Sequence, residues 1–216
     1  MRVSIAALLL GVLLAAAADA QPKAPLTRDE ALANIQTADV EARRSAAAWL
    51  GELGSMADAP ALLAALRDAD DGVRALAEHS LWQVWSRSGD AAVDSLFEIG
   101  VEQAQRGEGP AAIETFSQVI QRKPDFAEGW NKRATVYFLM GEYEKSLKDC
   151  DEVMKRNPFH FGALAGYGQI YLQLDEPERA LEYFQRALMV NPNLTAVEAA
   201  VGQLKQILIE RRRGTI

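Results

Sequence analysis

The sequence predicts an all-α fold, an α-solenoid of antiparallel helical hairpins. Three observations predict it: a 34-residue period in the C-terminal half, a 31-residue period in the N-terminal half, and regularly spaced prolines. Pro124, Pro158 and Pro192 lie 34 residues apart. A proline ends a helix because it lacks the N–H donor and disfavours helical geometry in the residue before it. We therefore expect two helix pairs, then three hairpins and a capping helix.

Residues 1–20 predict a secretory signal peptide. Arg2 gives the positive start, residues 5–18 form an apolar run, and residues 18–20 read Ala-Asp-Ala, a small-x-small cleavage site. The apolar run has 14 residues, whereas a membrane-spanning helix needs about 20. We predict cleavage, a short linker over 21–26, and export, with a bacterial periplasm as the expected compartment. An uncleaved membrane anchor is the alternative.

The charge balance argues against a nucleic-acid partner. The chain has 23 basic and 30 acidic residues, a formal net charge of −7. Phosphate contacts dominate affinity for nucleic acids, and an acidic chain without a basic stripe makes few of them. The basic run 211–213 closes the last predicted helix, where cations complement the helix dipole.

The N-terminal half repeats with a period of 31 residues. Arg43 and Arg74 are one pair at this spacing, and Leu50 and Leu81 are another. The stretch 49–84, with its LGELG helix end and its Asp-rich turn, resembles HEAT-like repeats of the short bacterial kind. This resemblance implies two helix pairs within 27–88, roughly 27–54 and 55–88. Thr27 and Glu30 predict a capping box at the first helix, and the arrays are expected to form one continuous solenoid.

The C-terminal half carries small, aromatic and proline residues in columns at 34-residue spacing. The second unit has Trp130, Arg133, Ala134, Tyr137, Ser146, Cys150 and Pro158; the third has Leu164, Tyr167, Gly168, Tyr171, Ala180, Phe184 and Pro192; the first has Leu96, Ile99, Gly100, Gln103, Ala112, Phe116 and Pro124. These units resemble tetratricopeptide repeats, whose pattern is W-x2-L-G-x2-Y, A-x3-F and P. The first unit matches least well, because Gln103 replaces an aromatic residue.

The boundaries follow from these columns. Three repeats are predicted over 91–192, at about 93–126, 127–160 and 161–194. A C-terminal capping helix is predicted over 193–213, with Val197, Val201, Leu204 and Leu208 on one face. Such a helix covers the open apolar edge of the last repeat, as stacked arrays require for solubility.

The resemblance to tetratricopeptide repeats implies a partner-binding groove on the concave face, lined by the first helix of each unit. The implied lining is Phe97, Val101, Gln105, Asn131, Thr135, Phe138, Ala165, Gln169, Leu172 and Gln173. Amides mixed with apolar side chains suit a peptide, whose backbone needs hydrogen bonds while its side chains are buried. The alternative for Phe138 and Leu172 is that they only seal neighbouring units.

One departure from the family pattern disfavours a particular partner. Members that bind chaperone tails grip a terminal carboxylate with lysines, an arginine and asparagines. Here Asn131 and Lys132 are present, but the first unit offers Phe97 and Val101, and the third offers glycines. A chaperone-tail function is therefore disfavoured.

No catalytic or metal-binding constellation is evident in the sequence. His79 and His160 lack a partner at ligand spacing, and the Asp-rich stretch 68–72 lacks the calcium-loop glycine and glutamate at the required places. Cys150, the only cysteine, occupies a phenylalanine column and is predicted to be an inert buried thiol. We predict no cofactor and no enzyme activity. The alternatives are an enzyme or enzyme subunit of HEAT-like lyase or hydroxylase ancestry, and an anchored envelope assembly factor.

These observations together predict an exported scaffold or adaptor for protein–protein interaction. Its partner is predicted to be a peptide or protein held in the concave groove.

Overall fold

The computed structural model describes residues 26–214, apart from the side chain of Arg212, and this part of the chain contains helices and no strand. The fold class predicted from the sequence is confirmed. The predicted signal peptide, 1–20, and the linker up to residue 25 lie outside the described residues. None of the described helices is both long enough and apolar enough to span a bilayer.

The helices pair in chain order, each with its neighbour. The N-terminal half has α1 (Arg28–Asn34), α2 (Val40–Leu53), α3 (Ala59–Ala65) and α4 (Asp71–Trp85), with a 3₁₀ turn at Met56–Asp58. The C-terminal half has α5 (Ala91–Gln105), α6 (Gly109–Arg122), α7 (Ala127–Leu139), α8 (Tyr143–Arg156), α9 (Phe161–Gln173), α10 (Pro177–Val190) and α11 (Thr195–Arg213).

The 31-residue period of the N-terminal half has a geometric counterpart. Asp39 caps α2 and Asp70 caps α4, each accepting hydrogen bonds from backbone N–H groups of the first turn. Arg43 donates to the carbonyls of residues 37 and 38, and Arg74 donates to those of residues 68 and 69, 31 positions later. The second helix of each pair therefore begins with the same cap and the same arginine contacts. The predicted capping box of Thr27 and Glu30 is also present.

In the C-terminal half, a small residue on the first helix of each hairpin faces a side chain on the second. A Cβ atom added to Gly100 would lie 2.7 Å from the Phe116 ring, and one added to Gly168 would collide with Phe184. The second hairpin instead pairs the buried Ala134 with the smaller Cys150. The small residues at 34-residue spacing thus mark a close approach of the two helices in each hairpin.

The turn inside each C-terminal hairpin uses one residue with positive φ. These residues are Gly107, Gly141 and Asp175, with φ of 75°, 76° and 55°. Glycine adopts this conformation without steric cost, and aspartate is one of the few other residues that tolerate it. Asp175 also accepts a hydrogen bond from Arg211 of α11 at 3.1 Å.

Helix α11 closes the end of the array. Val201, Leu204 and Leu208 are buried, and the first two join the core that the second and third hairpins share. These three residues belong to the apolar face that the sequence predicts for this helix.

The two halves do not continue end to end, so the expected single continuous solenoid is wrong. The N-terminal core instead takes in Phe161, Val190 and Leu194, which lie where one C-terminal hairpin passes to the next. Arg67 donates to the carbonyl of Val190, and Asn193 donates to that of Leu66 at 2.8 Å. The N-terminal half therefore packs along the edge formed by the loops between hairpins. In this placement Trp85 is buried and Trp82 is half-buried.

Candidate partner-binding groove

Four of the ten predicted groove residues line one shallow pocket. Asn131, Thr135 and Phe138 of α7 and Gln169 of α9 surround a space of about 50 Å³. Thr135 and Gln169 are exposed, and Phe138 is half-buried against the core of the second and third hairpins. Phe138 therefore both seals the hairpins and lines the pocket. We call the exposed surface between α7 and α9 the groove strip.

The remaining predicted residues of α9 differ in how exposed their side chains are on the groove strip. Leu172 is 40% exposed, and Gln173 is exposed with its Oε1 atom 3.5 Å from the Tyr143 hydroxyl. Ala165 is half-buried. Gly166 lies beside the same pocket, and a Cβ atom added to it would have Cys150 Sγ as its nearest neighbour at 3.9 Å. The floor of the strip is therefore open at Gly166.

The three predicted residues of α5 do not line this pocket. Phe97 is only 2% exposed, and its ring lies 5.8 Å from Phe116 and 5.3 Å from Phe126 between centroids. Val101 packs against the same core, and Gln105 is exposed. The assignment of Phe97 to a partner-binding surface is therefore wrong: it is a core residue, because the aromatic residue at 126 turns inward to cover it.

Asn131 is engaged in a buried polar cluster rather than free for a partner. Its side-chain amide donates to both carboxylate oxygens of Glu128 at 3.1 Å. Glu128 is fully buried and also bonds to Lys132 Nζ at 3.2 Å and to His160 Nε2 at 2.8 Å. Every oxygen of this buried carboxylate therefore has a donor, as burial of a charge requires.

His160 is held in one tautomer. Its Nδ1 atom accepts the backbone N–H of Ala163 at 3.0 Å and so caps α9, which leaves Nε2 to carry the proton donated to Glu128. Burial by itself raises the pKa of Glu128, but the hydrogen bond from His160 and the charge of Lys132 outweigh it and hold this pKa below its ordinary value.

Two tryptophans of α4 pack at the start of α9, and Trp82 covers one end of the groove strip. The Trp85 ring stacks on His160 with centroids 4.6 Å apart, and Trp82 meets Phe161 edge-on at 5.2 Å. Trp82 also lies directly over Gly162, leaving no room for a side chain there. The N-terminal half therefore closes the strip at the start of α9, and the strip is open toward Leu172. The sequence columns gave no sign of Glu128 or of these tryptophans as groove residues.

Cys150 lies beneath the groove strip as a buried free thiol. Burial, with smaller contributions from Asp149 and Asp151, raises its pKa to about 12. The thiol is therefore protonated at neutral pH and is not a nucleophile, since the thiolate is the reactive form. Within residues 26–214, no group of three or more His, Cys, Asp or Glu side chains is placed to hold a metal ion.

Comparison with known families identifies the hairpins around the groove strip. Residues 125–190 match the family model described as tetratricopeptide repeat. These residues are similar to tetratricopeptide repeats. A TPR repeat-containing protein of Rhizobium etli is 34% identical over 128 residues, which are 59% of this chain and 63% of that protein. Anaphase-promoting complex subunit 7 of Dictyostelium discoideum is 34% identical over 99 residues, 43% of this chain and 17% of that protein.

Solved tetratricopeptide structures share the helical fold. The Sgt2 TPR domain from Aspergillus fumigatus aligns with a TM-score of 0.55 at 21% identity, covering 59% of this chain and 85% of that chain. The first TPR of Spaghetti (RPAP3) bound to the HSP90 peptide SRMEEVD aligns with a TM-score of 0.52 at 21% identity, covering 54% and 93%. The chain spans less than two thirds of the length of the curated relatives named above.

Proposed function

We propose that this chain is an exported, non-catalytic scaffold that holds a peptide or a partner protein along the groove strip. The tetratricopeptide repeats support protein–protein interaction. The observation that carries the proposal is the exposed pair of Thr135 and Gln169, which flank the half-buried Phe138 at an open pocket. These side chains offer hydrogen bonds to a peptide backbone and an apolar contact to a peptide side chain.

The charge of the groove strip favours an uncharged peptide segment. Its polar members, Thr135, Gln169 and Gln173, carry no charge. Lys132 bonds to the buried Glu128, and Arg133 of the same helix binds Asp149 through two hydrogen bonds of 2.7 and 2.8 Å. An acidic segment such as SRMEEVD, which the first TPR of Spaghetti binds, would find these cations already neutralised. We therefore propose an apolar, amide-rich segment as the ligand.

Capture of partners by the mature protein tests the proposal. Gln169→Ala removes an exposed groove amide, and Gln185→Ala removes an exposed amide from α10 as the matched control. Losing one hydrogen bond of about 1 kcal/mol lowers affinity about fivefold. A partner captured by the wild type and by Gln185→Ala is expected to be depleted with Gln169→Ala. If a double variant that combines Gln169→Ala with Leu172→Ala captures as much partner as the wild type does, binding at the groove strip is contradicted.

Export is the second part of the proposal and has its own test. It rests on the three-part pattern of residues 1–20. N-terminal sequencing of protein purified from a bacterial periplasm is expected to begin at Gln21. A chain that retains Met1 contradicts cleavage and favours the anchored alternative.

We also infer that the N-terminal half consists of two HEAT-like helix pairs. The equivalent backbone contacts of Arg43 and Arg74 and the equivalent caps of Asp39 and Asp70 support two copies of one unit. In the proposed scaffold this half closes one end of the groove strip through Trp82. The partner segment would then enter from the end at Leu172.

A further inference from the structure

A second and larger pocket lies between the two halves, away from the groove strip. Its volume is about 470 Å³, within the range of small-molecule sites, whereas the groove pocket holds about 50 Å³. The lining residues are Pro60, Leu63, Ala64 and Arg67 from the N-terminal half, and Phe159, Arg186, Met189 and Val190 from the C-terminal half. Sites between packed units are a common location for small ligands.

We call this pocket between the two halves the junction pocket. Hydrogen bonds hold its two walls together. Arg67 donates to the carbonyls of Met189 and Val190, and Asn193 donates to the carbonyl of Leu66. The pocket is therefore formed before any ligand binds.

The mouth of the junction pocket exposes large apolar side chains. Phe159 is 55% exposed and Met189 is 66% exposed. Large exposed apolar side chains gathered around a concavity mark a binding surface more often than scattered ones do. Leu63 and Pro60 continue this apolar surface into the pocket.

Two guanidinium groups supply the polar character of the junction pocket. Arg67 uses two of its five N–H donors on backbone carbonyls, and within the described part of the chain no carboxylate lies within 4 Å of it. Arg186 has one loose ion pair, with Glu182 at 3.9 Å, and lies over the Tyr183 ring. Among residues 26–214, no acidic side chain lines the pocket. In a chain of net charge −7, this pocket is locally cationic.

We propose that the junction pocket binds a small amphipathic carboxylate, an anion with an aliphatic or aromatic body. The apolar body lies among Leu63, Phe159 and Met189, and the carboxylate pairs with Arg67 and Arg186. Arginine suits this role because its planar donors match a carboxylate. A peptide segment fits less well, since the described lining residues offer no amide or hydroxyl side chain to satisfy a peptide backbone.

Calorimetric titration with two probes of equal chain length and opposite charge tests this site. Decanoate, below its micelle concentration, is expected to bind the mature protein at least about tenfold more tightly than decyltrimethylammonium, the difference given by one charge-assisted contact. Equal affinity for the two probes, or no decanoate binding at 1 mM, overturns the proposal.

Variants locate the binding. Arg186→Gln is expected to weaken decanoate about tenfold. Arg106→Gln, which removes another arginine with an i,i+4 glutamate partner, is the matched control and should have no effect.

Ala64→Trp fills the pocket from an exposed helix position and should abolish binding without removing a core contact. Unchanged decanoate affinity in Ala64→Trp overturns the site. Gln169→Ala should leave decanoate binding unchanged, because the groove strip is a separate surface.

Discussion

Arg43 of α2 binds Asp68, at the start of the turn before α4, through two parallel hydrogen bonds of 2.7 and 2.9 Å. Both side chains are largely buried. The hydrogen bonds from Arg43 are the main reason that the pKa of Asp68 lies below its ordinary value. This pair joins the first helix pair to the second, so the N-terminal half behaves as one packed unit.

Replacing Arg43 with lysine tests this link. Lysine keeps the charge but cannot form two parallel hydrogen bonds, so Arg43→Lys is expected to lower the free energy of unfolding by about 1.5–3 kcal/mol. Arg74→Lys is the matched control, since the partner of Arg74, Asp71, is almost fully exposed. Urea unfolding measures both variants. Equal losses would show that the Asp68 bonds add nothing beyond the shared carbonyl contacts.

The pairing of small and large residues in the C-terminal hairpins predicts a coupled pair of substitutions. Cys150→Phe introduces the phenylalanine of the other two hairpins against Ala134, and overpacking is expected to cost about 1–3 kcal/mol of stability. Adding Ala134→Gly recreates the glycine–phenylalanine pair and should recover most of that loss. A double-mutant cycle measured by urea unfolding checks the coupling. Strictly additive effects would mean that residues 134 and 150 do not share one packing space.

The buried carboxylate of Glu128 predicts an acid-dependent loss of stability. At pH 7, Glu128→Gln should cost about 1–3 kcal/mol, because the new amide group faces the donors of His160 and Asn131. The folded-state pKa of Glu128 is depressed, so the stability it contributes is present above the ordinary value of 4.5 and is lost as the pH falls through the lower folded value.

The measurement is the difference in unfolding free energy between wild type and Glu128→Gln from pH 7 to pH 2. It is expected to shrink at the acid end. Glu144→Gln, at an exposed position of α8, is the control and should follow the wild type throughout. A difference that stays constant across this range would contradict a charged Glu128.

We expect Trp85 to hold the two halves together through packing of its ring and not through a hydrogen bond of its indole N–H. Its buried Nε1 atom has no hydrogen-bond partner among the residues that the structure describes, while its ring stacks on His160 and lies 4.9 Å from Phe161. Trp85→Phe keeps an aromatic ring and is expected to cost less than about 1.5 kcal/mol. Trp85→Ala should cost about 3–5 kcal/mol. Thermal unfolding followed by circular dichroism separates the two. A phenylalanine variant as unstable as the alanine variant would show that the N–H matters.

The helices and turns were predictable because local residues fix them. Prolines and the positive-φ residues at 107, 141 and 175 end or separate the helices, and aspartates at 39, 70 and 90 begin them. These signals act over one or two turns of chain and do not depend on the rest of the molecule. Of the predicted groove residues, Thr135, Phe138 and Gln169 line one pocket and their binding role stays a prediction, whereas Phe97 is in the core.

The C-terminal hairpins follow from the sequence, because the 34-residue period marks a small residue on one helix that faces a larger one on the next. The position of the N-terminal half depends on packing between residues that are far apart in the chain. Trp82 and Trp85 are apolar residues on α4 whose partners, His160 and Phe161, stand about 80 positions away and outside any repeat column. Burial of those rings against the loop edge, rather than any local signal, sets the arrangement of the halves and creates the junction pocket.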